Sequence, residues 1–111
     1  MNIDTKVKNI IQELKNSLNQ EVAAHIRRII LFGSRVRGES TQDSDLDILI
    51  LLDKKDSNIE NQLEESVYQV MWNHDFQPIL SLKIDTETHF QKALSKDYSF
   101  YRNIQNEGIS V

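Results

Sequence analysis

Phe32-Gly33-Ser34-Arg35-Val36-Arg37-Gly38-Glu39-Ser40-Thr41-Gln42-Asp43-Ser44-Asp45-Leu46-Asp47-Ile48 is the stretch on which the reading of this chain turns. It starts where one apolar run stops and ends where another begins. Arg28-Ile29-Ile30-Leu31-Phe32 is β-branched and aromatic, and Gly33-Ser34 halts it abruptly, the pattern of a buried strand. Leu46 to Leu52 is apolar on nearly every position, the pattern of a strand covered on both faces and hence central. Between them, Gly33 permits a sharp backbone turn and lets a phosphate approach main-chain N–H groups. Ser34 adds a hydroxyl at the start of a helical turn, where anions are favoured. Arg35 and Arg37 place positive charge beside it. Asp45 and Asp47 flank Leu46, so strand alternation sends both carboxylates to one face, about 7 Å apart at their Cα atoms. Aspartate is a poor strand former, and two like charges on one face repel unless a cation lies between them. Hard oxygen ligands that leave room for phosphate and water suit Mg²⁺. Each half of this pattern also has an ordinary reading. Gly-Ser occurs in many turns, and Asp43, Ser44 and Asp45 serve as turn and strand-start residues.

Working outward, Val7, Ile10, Ile11, Leu14 and Leu18 form one apolar stripe of a helix begun near Asp4 or Thr5. Val22, Ala23 and Ile26 add a short helical turn. After the polar turn 53–57, Ile59, Leu63, Val67, Val70 and Met71 predict a second long helix over 57–73. Phe76 to Ile84 reads as a third strand, with Pro78 early in it as at an edge or an irregular start. Asp85-Thr86-Glu87-Thr88 is an acidic helix start, and Phe90, Ala93 and Leu94 mark the buried side of the helix behind it. A last helix over 97–107 ends at Gly108 as its C-terminal cap. The predicted order is α-β-α-β-α-β-α-α, a small α/β sandwich of two or three layers, with a few-stranded sheet packed by helices.

The composition excludes several function classes. The chain has 111 residues, and its 13 Lys and Arg against 17 Asp and Glu leave a net charge of −4. That length is one domain. The absence of cysteine removes a disulfide framework, a thiolate zinc site and a cysteine nucleophile together. No apolar run approaches the ~20 residues of a membrane span, and the opening MNIDTKVKNI is too polar for a secretory signal. The acidic balance argues against a broad nucleic-acid-binding face. A cytoplasmic protein is expected. His25, His74 and His89 have no ligand spacing and are expected at surfaces or helix ends. Tyr98, Phe100 and Tyr101 are expected as packing residues, or as an exposed apolar patch for a partner. Only three glycines occur, and Gly33 and Gly38 fall within the decisive stretch.

The combination is more specific than its parts. Gly33-Ser34, ten residues, then Asp45-x-Asp47, with Gly38 completing G-S-x-x-x-G and Ser44 completing S-D-x-D, resembles the polymerase β-like nucleotidyltransferases. The short length is similar to their minimal nucleotidyltransferase (MNT) domains, many of them antitoxins paired with HEPN-family ribonuclease toxins. The resemblance extends through the helix–strand order to the tail Phe100–Gly108, and implies one such domain over 1–111. It implies a Mg²⁺-dependent transfer of AMP from ATP to a hydroxyl. Asp45 and Asp47 would be shared ligands of two Mg²⁺ ions, Gly33 and Ser34 would hold the β- and γ-phosphates, and Gly38 belongs to the same nucleotide-binding pattern. Arg35 or Arg37 would offset charge on the departing pyrophosphate. The implied acceptor is a HEPN-family toxin that the transfer neutralises. Such enzymes usually carry a third carboxylate on a later strand. A helical crossover between the second and third strands makes them parallel, which favours Asp75 as third catalytic and metal-binding acid over Asp85 at the far end. Gln77 shares the face of Asp75 and would fill that position without charge. Two alternatives stand beside this reading: an antitoxin that acts by masking its toxin, and a nucleotidyltransferase acting on a small molecule or an RNA end.

Overall fold

The computed structural model describes residues 4–38 and 44–111. Asp43, read above as a turn former, lies outside them. The chain runs α1 (Thr5–Ser17), α2 (Gln20–His25), β1 (Ile26–Phe32), α3 (Ser34–Arg37), β2 (Leu46–Leu52), α4 (Ser57–Asn73), β3 (Leu80–Thr86), α5 (Glu87–Ser95), α6 (Ser99–Glu107) and β4 (Ile109–Ser110). Side chains fix the helix starts. Asp4 accepts from the Val7 amide, Asn19 from Val22 and Asp56 from Asn58 and Ile59, each satisfying donors that the first turn leaves open.

The sheet order is β3-β2-β1-β4, so β2 is central, as its two-sided apolar pattern requires. β1 is antiparallel to β2 with Phe32 opposite Asp47, and β3 is parallel to β2 with Ser81 opposite Asp47. Alternation along β2 divides the core. Leu46, Ile48, Ile50 and Leu52 pack with Val7, Ile10 and Leu14 of α1 and with Ile59, Leu63 and Val67 of α4. Leu49 and Leu51 face the other way, onto Ile30, Phe90 of α5 and Ile104 of α6. The architecture is therefore α/β in three layers, a mixed sheet between two pairs of helices, and Asp47 lies on the α5/α6 side.

One expectation is corrected. The third strand begins at Leu80, not at Phe76. Asp75 and Phe76 take positive φ of 55° and 57° and turn the chain back, with the Phe76 amide on Met71 O at 2.8 Å. Phe76 then stacks edge-on against Tyr68 at 5.6 Å and Trp72 at 6.1 Å, closing the end of α4 instead of opening a strand. Gly108 ends α6 as its C-terminal cap, as expected, in extended conformation (φ −70°, ψ 155°), and the chain continues into β4, a strand outside the predicted order, against β1. A Cβ there would lie 2.5 Å from Ile104 O and 2.6 Å from Ile30 Cγ2. Glycine is required by close approach, not by a left-handed cap.

Candidate active site

β1 delivers the chain to Gly33, whose φ of 87° and ψ of −166° belong to a region that side chains all but forbid. Space imposes the same requirement. A Cβ at this position would fall on Asp47 Oδ2 and lie 3.0 Å from Asp47 Cγ, so the carboxylate rests against bare backbone. The single turn of α3 follows, anchored by the buried Val36. Gly38 closes it in the left-handed conformation (φ 77°), with its N–H on Ser34 O. Arg35 Nε donates to Ser44 O at 2.8 Å, tying α3 to the residue before Asp45. Arg37 lies 3.7 Å from Glu107 Oε2, and its charge also acts on Asp47.

Asp45, just ahead of β2, is exposed, whereas Asp47 within it is half-buried. Burial raises the pKa of Asp47, and repulsion from Asp45 adds to the rise; Lys83, Arg37 and a hydrogen bond from the Ser81 hydroxyl oppose it. An acid pair held against its own repulsion fits a hard divalent cation shared with phosphate oxygens, a setting in which one or two carboxylates suffice for Mg²⁺.

Not every sequence-predicted site residue converges here. Gly33, Ser34, Gly38, Arg35, Arg37, Asp45 and Asp47 lie along one turn and the head of the strand beside it. Asp75 does not join them. It is exposed in the turn that closes α4, five residues ahead of β3, and among the described residues no three acids or histidines are grouped to hold a metal. Gln77 likewise precedes the strand. The parallel pairing was anticipated, but the register puts Ser81 across from Asp47 and Lys83 across from Leu49. Asp85 sits farther along, 2.7 Å from His89 Nδ1. Ser81 and Lys83 were missed, although the alternation Leu80-Ser81-Leu82-Lys83-Ile84 already put both on one face. The histidines stand at helix ends and surfaces on acids: His25 on Asp53 at 3.1 Å, His74 on Glu13 at 2.9 Å. Tyr101 packs on Phe90, while Tyr98 and Phe100 are 54% and 43% exposed.

The fold thus sets a glycine-broken strand end against paired aspartates at the head of the central strand of a small α/β sheet. The chain belongs to the nucleotidyltransferase domain family, which matches it over residues 11–110. Three proteins of Methanocaldococcus jannaschii, each carrying the name "putative protein adenylyltransferase", are similar to it along most of their length. One is 31% identical over 98 residues, covering 88% of this chain and 90% of its own. The second is 28% identical, with 92% and 95% covered, and the third 30% identical, with 85% and 84% covered. Among the described residues no helix is long and apolar enough to cross a membrane.

Proposed function

We propose that this chain transfers AMP from ATP to a hydroxyl of a partner protein. The observation that carries the reading is the contact between Gly33 and Asp47, which joins the phosphate-approach turn to the acid pair in a chain of the nucleotidyltransferase family. The acceptor oxygen bonds to the α-phosphorus of ATP, the bond from that phosphorus to the α/β-bridging oxygen breaks, pyrophosphate leaves with the bond's electron pair, and the hydroxyl proton passes to water. Gly33 and Ser34 take the β- and γ-phosphates, through the backbone N–H groups of the turn and the Ser34 hydroxyl. Asp45 and Asp47 are the ligands for Mg²⁺, which when bound supplies charge neutralisation on the reacting phosphates. Arg37, whose charge already reaches Asp47, offsets charge on the departing pyrophosphate. Arg35 holds the strand that carries the acids in register with the turn.

A protein acceptor draws support from the names of the three relatives and from the exposed Phe100, which packs on Phe32 beside Asp47. By the family resemblance that acceptor is a HEPN-family toxin, neutralised by the modification. A second reading, neutralisation by masking alone, draws on the absence of a third acid opposite Asp47. One experiment separates them. Intact mass of such a toxin after incubation with this protein, ATP and Mg²⁺ is expected to rise by whole AMP units, and not with the Asp45→Asn/Asp47→Asn variant. A stable complex with unchanged mass, in which the variant still neutralises, establishes masking.

A further inference from the structure

The side of the sheet that holds Asp47 is completed by β3, and there it presents a hydroxyl and a cation. Ser81 is the strand partner of Asp47, and its hydroxyl is engaged as a donor to that carboxylate. Lys83 projects from the same face two residues on. Its Nζ lies 5.9 Å from the ring centroid of Phe100, which packs edge-on against Phe32, the residue opposite Asp47 on the other flank. Arg28, Arg37 and Arg102 each stand within ion-pair distance of a carboxylate, on Glu87, Glu107 and Asp97. Lys83 is held over an aromatic ring on the acid pair's own face, with its charge felt at Asp47.

A second divalent ion would have to share Asp45 and Asp47 with the first, because β3 adds no carboxylate across from Asp47 and no third acid joins the pair among the described residues. The register offers it a neutral hydroxyl in place of a third carboxylate, and an ammonium on the same face that repels it. We propose that this site takes one divalent cation with its nucleotide, between Asp45 and Asp47, and that the Lys83 ammonium supplies the second positive charge to the nucleotide phosphates. The proposal rests on the nucleotidyl-transfer reading and names how that site is completed.

The test is Mn²⁺ titration followed by electron paramagnetic resonance, on the whole chain with a non-hydrolysable α,β-methylene ATP, alongside nucleotide affinity by calorimetry. Wild type is expected to bind one Mn²⁺ per nucleotide-bound chain, without the dipolar coupling of an ion pair ~3.5–4 Å apart. Lys83→Gln, an exposed change, is expected to leave the melting temperature and the single ion in place and to weaken nucleotide binding about tenfold, as loss of a charge-assisted contact does. Ser81→Asp/Lys83→Gln is expected to admit a second, coupled Mn²⁺. Two coupled ions in wild type, or a Lys83→Gln affinity within about twofold of wild type, overturns the proposal alone. No nucleotide binding by wild type overturns it together with the reading beneath it.

Discussion

Asp47 is held where its own charge is unwelcome. It is pressed against the backbone of Gly33, partly removed from water and beside Asp45, and its pKa is raised despite Lys83, Arg37 and Ser81. An acid whose pKa rises on folding binds more protons in the folded chain than in the unfolded one between its ordinary and raised values. Stability therefore falls as pH rises through that window and stays lowered above it. Asp47→Asn, which keeps shape and removes charge, is expected to raise the melting temperature at pH 7 while abolishing transfer. The gain should shrink near pH 3, below the ordinary carboxylate value, where the wild-type acid is protonated in both states. Scanning calorimetry at the two pH values checks this, and an equal gain at both would mean that charge is not the cause. The spacing of Gly33, Asp45 and Asp47 was legible in the sequence because chemistry constrains residue type at each position. Their contact was not, since it depends on the pairing of Phe32 with Asp47 across two strands.

Elements with strong periodicity were readable close to their ends. Leu46–Leu52 and Ser57–Asn73 are found where the apolar pattern puts them. The boundary that failed is one where an apolar signal has two uses. Phe76 looks like a strand residue but packs back on Tyr68 and Trp72, so β3 starts at Leu80 and puts Ser81, which is no acid, across from Asp47. Gly108 is the cap its position suggests, and it is also the point where α6 passes close over β1 so that Ile109 and Ser110 can pair with Leu31 and Ile30. Its contacts are backbone and a buried isoleucine, neither of which yields cheaply. Gly108→Ala is expected to destabilise the fold by about 1–3 kcal/mol, the usual cost of overpacking. It should also release β4, seen as faster hydrogen exchange of the Val111 amide, which donates to Ile29 O at 2.9 Å. Unchanged exchange with lowered stability would place the strain in α6 alone.

Across the whole molecule, carboxylates act as fasteners between layers. Glu13 of α1 accepts from Asn73 and pairs with His74 at the end of α4. Asp53, just past β2, holds His25 at the end of α2. Glu87 at the start of α5 takes a two-pronged bond from Arg28 of β1, both at 2.8 Å, and Arg28 also lies 5.1 Å over the ring of the buried Phe90. Hydrogen bonds lower the pKa of all three acids: Asn73 and then His74 for Glu13, His25 for Asp53, Arg28 for Glu87. The sign is opposite to that of Asp47. An acid with a depressed folded pKa contributes stability that is present above its unfolded value and is lost as pH falls through the folded one. Acidification below the ordinary carboxylate range is thus expected to loosen α1, α2 and α5 from their neighbours together, while the penalty at Asp47 disappears. Glu87 isolates the effect, because its pair is the one with two parallel charge-assisted bonds. Glu87→Gln keeps the outline and the contact with Gln91 but removes the charge, and is expected to cost about 1–2 kcal/mol at pH 7. Urea unfolding of wild type and variant at pH 7 and pH 3 measures the difference, which should nearly vanish at the lower value. A cost that persists at pH 3 would assign the Arg28 contact to packing over Phe90, leaving the acid-sensitive stability to Glu13 and Asp53.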